Sequence, residues 1–240
     1  MEYGLQLYSV RDAMEKDVKG TLKRVAEIGY KQVEFAGFFG VDAPTMKSWL
    51  DEFGLRVSGT HTNIYELNNN YDEIVNYHKV IGCTNLIMPW ADTSTPEKIA
   101  ELLNLIKIYQ PRLKADGITL GYHNHDHEFH VQKDGTLPYA ILELCTDVQL
   151  EVDTYWAFMA GMDPLAVMER LKDRIHFIHL KDGTLQREGR PLGTGEAPVA
   201  AVIQKAKELG FSMIVESENL QPDGLTEVEN CFSYLKTIEA

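Results

Sequence analysis

Short apolar, β-branched runs alternate with amphipathic runs along the whole chain. Eight of the former read as strands: residues 4–8, 32–35, 55–60, 85–88, 118–122, 149–152, 175–180 and 212–215. Between them apolar positions recur at helical spacing. In residues 17–28, Val18, Leu22, Val25, Ala26 and Ile28 share one face, and Gly29 ends the pattern. Residues 45–53 stop at Gly54 and residues 71–81 stop at Gly82. Residues 96–115 and 198–209 open at a proline and stop near Gly117 and Gly210, the expected asymmetry of helix ends. Gly29-Tyr30, Gly54-Leu55 and Gly210-Phe211 each predict an αβ loop closed by a left-handed glycine.

The strands recur about every 30 residues, the length of one βα unit. Such alternation predicts a parallel sheet covered by helices. Eight units in 240 residues fit a (β/α)8 barrel near its lower size limit, read here as one domain over residues 1–240. An open doubly wound sheet would show fewer strands and a glycine-rich first turn. The first turn here is Tyr8-Ser9-Val10-Arg11-Asp12.

In such a barrel functional groups collect at the C-terminal strand ends. Seven of the eight runs end beside His, Asp, Glu or Trp. These are Glu34, His61, Trp90, His123, then Asp153 with Trp156, then His179, and finally Glu216 with Glu218. Unpaired buried charge is expensive, so its repetition points to metal coordination or dense pairing. Residues 120–130 hold four of the eight histidines together with Asp126 and Glu128. A histidine-rich surface loop is the plain alternative for this stretch. His176 and His179 have opposite strand parity, so at most one faces inward; His179 is the candidate. His127 and His130 are expected to face solvent or fold over the mouth. Residues 193–198 resemble a phosphate-cradling loop only weakly and read more simply as a turn into a helix.

Composition narrows the partners. The chain is 44% apolar and 25% charged, as ordinary globular proteins are. Its formal charge of −13, with no basic run, argues against nucleic-acid binding. No apolar stretch approaches the length of a membrane span. Cys83, Cys145 and Cys231 form no CxxC and predict small core residues in a reducing cytoplasm.

The strand-end motifs resemble those of the sugar phosphate isomerase/epimerase group of xylose-isomerase-like barrels, related to tagatose/psicose 3-epimerases and inosose dehydratases. The cues are residues 5–12, residues 29–34, Gly121-Tyr122-His123-Asn124-His125-Asp126, Glu151-Val152-Asp153-Thr154-Tyr155-Trp156, His179-Leu180-Lys181-Asp182 and Val215-Glu216. The resemblance implies one divalent metal ion at the barrel mouth, held by Asp153, His179 and Glu216. His123 stands where many members have Glu, and His125 is the alternative fourth ligand. Two imidazoles with two carboxylates suit Mn2+ first, with Zn2+, Co2+ or Mg2+ as alternatives.

The resemblance further implies proton abstraction beside a sugar carbonyl through a cis-enediolate. Glu216 would be the base and His123 or His125 would act opposite. Glu34, His61, Asn124, His125, Glu128, Trp156, Lys181 and Arg190 would line the sugar pocket, with Glu151 in support. Isomerisation or epimerisation of a ketose or keto-sugar is the expected outcome. A dehydratase or lyase acting on an inosose or 3-keto-glycoside is the alternative, and a non-catalytic sugar-binding barrel a remote one. The sugar is expected to be unphosphorylated, since no clear phosphate motif is present. Homo-oligomer formation is left open.

Overall fold

A computed structural model describes residues 1–239. Its strands are β1 (Gly4–Gln6), β2 (Gln32–Phe35), β3 (Arg56–His61), β4 (Asn85–Met88), β5 (Thr119–His123), β6 (Gln149–Asp153), β7 (Ile175–Leu180), β8 (Asp182–Gly183), β9 (Gly189–Arg190) and β10 (Ser212–Val215). Eight of them close a parallel barrel in the order β1-β10-β7-β6-β5-β4-β3-β2. β8 and β9 form a separate antiparallel hairpin. The predicted (β/α)8 architecture is thus the observed one.

The strand ends differ from the expected ones in a way that matters for the site. The first strand stops at Gln6 rather than at residue 8, and Leu7–Val10 coil into a 3-10 turn. There the Gln6 side chain accepts from the Tyr8 backbone N–H at 2.9 Å, which turns the chain away from the ladder. β3, β5 and β6 each run one residue further than expected. His61, His123 and Asp153 therefore sit inside the ladder, where strand geometry fixes their direction.

The helix Val18–Ile28 starts at Asp17, whose carboxylate accepts from Gly20 N–H at 2.9 Å. Ala43–Phe53 starts two residues before the predicted position, because Asp42 caps it through Thr45 N–H at 3.0 Å. Gly54 closes it at φ 67°, a left-handed position that disfavours a Cβ. Leu67–Ile81 extends the predicted helix toward its N-terminus across a kink at Asn70. Pro138–Cys145, Thr154–Met159 and Pro164–Arg170 escaped the pattern reading because none completes more than about two turns. The helix Gly224–Glu239 also escaped it, although Val228, Cys231 and Leu235 share a buried face.

Alternation divides the barrel residues between two environments. Val33, Phe35, Leu86, Met88, Tyr122, Val152, Ile178, Leu180 and Val215 are buried under the helices. Each such side chain contributes about 1.5–3 kcal/mol. The opposite face of each strand lines the interior. Its N-terminal half is filled by Ile87 and Ile214. Gly59 and Gly121 leave Ile87 room: a Cβ there would lie 2.8 Å and 3.1 Å from its side chain. Its C-terminal half is polar. Cys83 and Cys231 are buried as expected, whereas Cys145 ends an exposed helix turn and is itself exposed. Among the described residues, no helix is long and apolar enough to cross a membrane.

His78 lies in the helix shell, fully covered. Its Nδ1–H donates to Ile74 O at 2.8 Å, and its Nε2 accepts from the Thr60 hydroxyl at 2.6 Å. The second of these bonds requires the neutral ring. Burial holds its pKa below the ordinary value. The unfolded chain therefore binds this proton more readily, and its contribution to stability is lost as pH falls below about 6.5. His78→Gln should lower the melting temperature at pH 7.5 by the loss of about 1–3 kcal/mol. It should also flatten the fall in melting temperature between pH 7.5 and 5.5. An unchanged pH slope would contradict this account.

Candidate active site

Strand parity decides which side chains enter the polar half of the barrel. Glu34 from β2, His123 from β5, Glu151 and Asp153 from β6, His179 from β7 and Glu216 after β10 all point there, and all are buried. They occupy two levels. In the lower, Glu34 Oε2 accepts from Gln6 Nε2 at 2.8 Å and lies 2.7 Å from His179 Nε2. His61 Nε2 lies 2.8 Å from Glu151 Oε2 and 3.2 Å from Glu34 Oε2.

The upper level opens toward the mouth. His179 Nδ1 faces Glu216 Oε2 at 3.3 Å. Lys181 Nζ donates to Glu216 Oε2 at 3.2 Å and to Glu218 Oε2 at 2.5 Å. Donor atoms of His123, Asp153, His179 and Glu216 all lie within 4.8 Å of one another. The overlapping set His61, His123, Glu151 and His179 meets the same criterion.

Asp153 shows how the local fold prepares this group. Its Oδ1 accepts from Trp156 N–H at 2.9 Å, capping the helix Thr154–Met159. Its Oδ2 is buried without a hydrogen-bond partner, as are the Nδ1 atoms of His123 and His125. Burial, with Glu216 beside it and Lys181 opposing, pushes the Asp153 carboxyl up to about 7. Burial alone would raise Glu216 as well. Lys181 and His179 outweigh it and hold Glu216 well below the usual carboxylate range. Burial, with His179 nearby, holds His123 far below the ordinary histidine value. Burial, then Lys181, brings His125 to about 4. Burial would also lower His61, but Glu34 and Glu151 raise it to about 10.

Neutral imidazoles with open nitrogens, an unpartnered carboxylate oxygen and a second carboxylate on one small space form a donor set that a divalent cation fits. A cation there would satisfy the orphaned Asp153 oxygen and remove the repulsion between Asp153 and Glu216. His179 already has the arrangement usual for a metal-bound histidine, one nitrogen facing the group and the other against a carboxylate.

Three residues expected on the pocket wall are elsewhere. Glu34 lies beneath His179, committed to Gln6, His179 and His61. Asn124 is spent on backbone: its Oδ1 accepts from Asp153 N–H at 3.2 Å and its Nδ2 donates to Asp153 O at 3.3 Å. Those bonds extend the β5–β6 ladder past the last strand residue. Glu128 is fully buried, accepting from the Tyr122 hydroxyl at 2.6 Å and from His125 N–H at 2.9 Å. It clamps the loop that carries His125. Glu128→Gln would set an amide donor against one of these donors. It should cost about 1–3 kcal/mol in denaturant unfolding, whereas Glu128→Gln as stable as wild type would show that the clamp is idle.

The other expected residues do reach the mouth, which divides into two clefts of about 530 Å3 each. His61, His123, His125 and Glu216 border one, and Trp156, Lys181 and Arg190 border the other. Glu218 borders both. Trp90 is exposed at the rim, His176 and His130 face solvent, and His127 lies 5.9 Å from Trp90, ring to ring. The loop at residues 193–198 does cradle an anion, but an internal one. Gly193 and Gly195 N–H donate to Asp182 Oδ2, each at 2.9 Å. Strand parity alone points to Glu218, two residues past Glu216. Arg187 left no local signal, because its partner Asp126 lies 61 residues away. The pair is bidentate at 2.7 and 2.9 Å and ties the β8–β9 hairpin to the loop after β5.

The fold and the mouth together define the class: a closed parallel (β/α)8 barrel whose C-terminal mouth carries a donor group that could hold a divalent cation. Within it, the chain belongs to the xylose isomerase-like TIM barrel family, whose model matches residues 22–229. A sugar phosphate isomerase/epimerase from Parabacteroides distasonis superposes with a TM-score of 0.86 at 26% identity, covering 98% of this chain and 97% of that one. An L-ribulose 3-epimerase shares the fold, with a TM-score of 0.73 at 16% identity over 99% and 94% of the two chains. An inosose dehydratase of Geobacillus kaustophilus is 24% identical over 189 residues, 67% of this chain and 60% of the dehydratase.

Proposed function

We propose that the protein is a divalent-metal-dependent isomerase or epimerase of a ketose or keto-sugar. The observation that carries this is the convergence of His123, Asp153, His179 and Glu216 around an unpartnered carboxylate oxygen. When bound by these four, with Mn2+ the best match to the donor set and His125 in reserve, the ion would polarise the sugar carbonyl and acidify the adjacent C–H.

The remaining work falls to the chain's own groups. Glu216, kept ionised by Lys181 and His179, takes the proton from the carbon beside the carbonyl. Lys181, buried and cationic, donates to the developing enediolate oxygen. Delivery of a proton to the opposite face by His123, which first takes one from water while Glu216 keeps the proton it removed, inverts the centre; return from Glu216 to the neighbouring carbon isomerises the sugar. His61, His125, Trp156 and Arg190 hold the hydroxyls, and Glu34 fixes the ring of His179. The free cysteines fit a cytoplasmic setting.

The histidine at position 123 favours one second reading. An imidazole across from Glu216 that took a proton from water and handed it to a departing β-hydroxyl would complete loss of water from an inosose or 3-keto-glycoside. Elemental analysis, followed by incubation with ketoses and keto-sugars in D2O, tests both. About one Mn, Zn or Co per chain with deuterium in recovered sugar supports isomerase or epimerase action. An unsaturated ketone with release of water supports the dehydratase. A chain that takes up no metal after soaking, with its fold intact, leaves only a sugar-binding role.

A further inference from the structure

We propose that the substrate has two sugar-sized parts, the reacting ring over the donor group and a second, uncharged polyhydroxylated ring in the cleft beside it. The inference rests on the reading above and adds the substrate class to it.

Each cleft, at about 530 Å3, falls by itself within the range of a complete small-molecule pocket, on the order of 300–1,000 Å3. The first is floored by His123 and Glu216 and flanked by the exposed rings of Tyr8 and Trp90. It contains the chemistry. The second contains none of the four candidate ligands, yet it is built from polar side chains and one indole: Trp156, Lys181, Arg190, Glu188, Asn219 and Gln221. Glu218 stands between the two, and Lys181 bonds to it. A molecule confined to the reacting cleft would reach Lys181 at the border but leave the Asn219 and Gln221 side of the second cleft without a role.

The charges identify the occupant's class. Every cation of the second cleft is already matched. Lys181 bonds to Glu216 and Glu218, Arg187 takes Asp126 in two bonds, and Arg190 lies 2.5 Å from Glu188. Paired charges have no surplus for a phosphate or carboxylate, and the chain carries −13 overall. They do present donors and acceptors side by side, as the Asn219 and Gln221 amides also do. Each sugar hydroxyl both donates and accepts, and a ring face can lie against an indole.

The test is calorimetric binding to the Mn2+-loaded protein. The probes are glucose against cellobiose, galactose against lactose, and glucose against glucose 6-phosphate and glucuronate. A two-ring sugar should bind at least tenfold more tightly than its one-ring partner, about 1.4 kcal/mol. In Gln221→Ala and Arg190→Ala that ratio should fall toward one. Equal affinity within both pairs, or no measurable binding of either two-ring sugar, overturns the proposal. So does tighter binding of glucose 6-phosphate or glucuronate that depends on Arg190, which would make the second cleft an anion site. Metal uptake with deuterium exchange into one-ring sugars but no two-ring preference would discard the subsite and keep the isomerase reading. A two-ring preference in a protein without metal or exchange would do the reverse.

Discussion

Asp153→Asn is expected to abolish the stabilisation of the protein by divalent metal while leaving the metal-free protein at least as stable as wild type. The two parts have separate causes. Asparagine caps a helix as well as aspartate does, so the bond to Trp156 N–H survives. The change also removes a buried carboxyl that burial and Glu216 already disfavour in its charged form. What it deletes is a buried, unpartnered anionic oxygen of the residue grouped with His123, His179 and Glu216. Wild type should gain about 2.7 kcal/mol at a metal concentration of 100 Kd. The variant should gain almost none of it, since losing a ligand should cost more than the roughly 10–100-fold that loss of a supporting group costs. Thermal melts with and without MnCl2 decide the matter. An equal metal-induced shift in both proteins would remove Asp153 from the ligand set.

The metal-side prediction depends on a level of organisation that periodicity sees only in part. A strand's alternation tells which residues face inward, and Glu34, His123, Asp153, His179 and Glu216 were legible on that ground. Alternation does not tell depth. Glu34 sits beneath His179, bonded to it and to Gln6 rather than open to the mouth. Parity also stops where the strand stops. Asn124 and Glu128 follow β5 closely, yet the chain has left the ladder. Asn124 turns to the backbone of β6, and Glu128 folds under its own loop onto Tyr122. The Asp126–Arg187 pair and the hairpin it anchors join segments 61 residues apart through strands of two residues each. Neither a period nor a turn signal exists at that length.

Two levels of polar side chains also explain why the site is stiff. Gln6 holds Glu34, Glu34 holds His179, and His179 presents Nδ1 to Glu216. Each group's direction is set by a bond below it, the condition for a ligand set already near its working geometry.

Glu216 is the member of that set with two duties, and Glu216→Gln separates them. The amide oxygen can still reach a cation, but it cannot take a proton. Lys181 keeps its bond to Glu218, so its charge stays compensated. Metal affinity should therefore fall by no more than roughly 10–100-fold, the range for an altered supporting group. Deuterium exchange at the carbon beside the carbonyl should fall by about 10^2–10^4, the share that a positioned base supplies. At saturating Mn2+ the exchange defect should persist. If added metal restores exchange to the wild-type rate, Glu216 acts only as a ligand and the proton acceptor must be sought elsewhere. His123 is then the first choice. It is buried, held neutral by that burial and within the same group, and His123→Gln would carry the loss in place of Glu216→Gln.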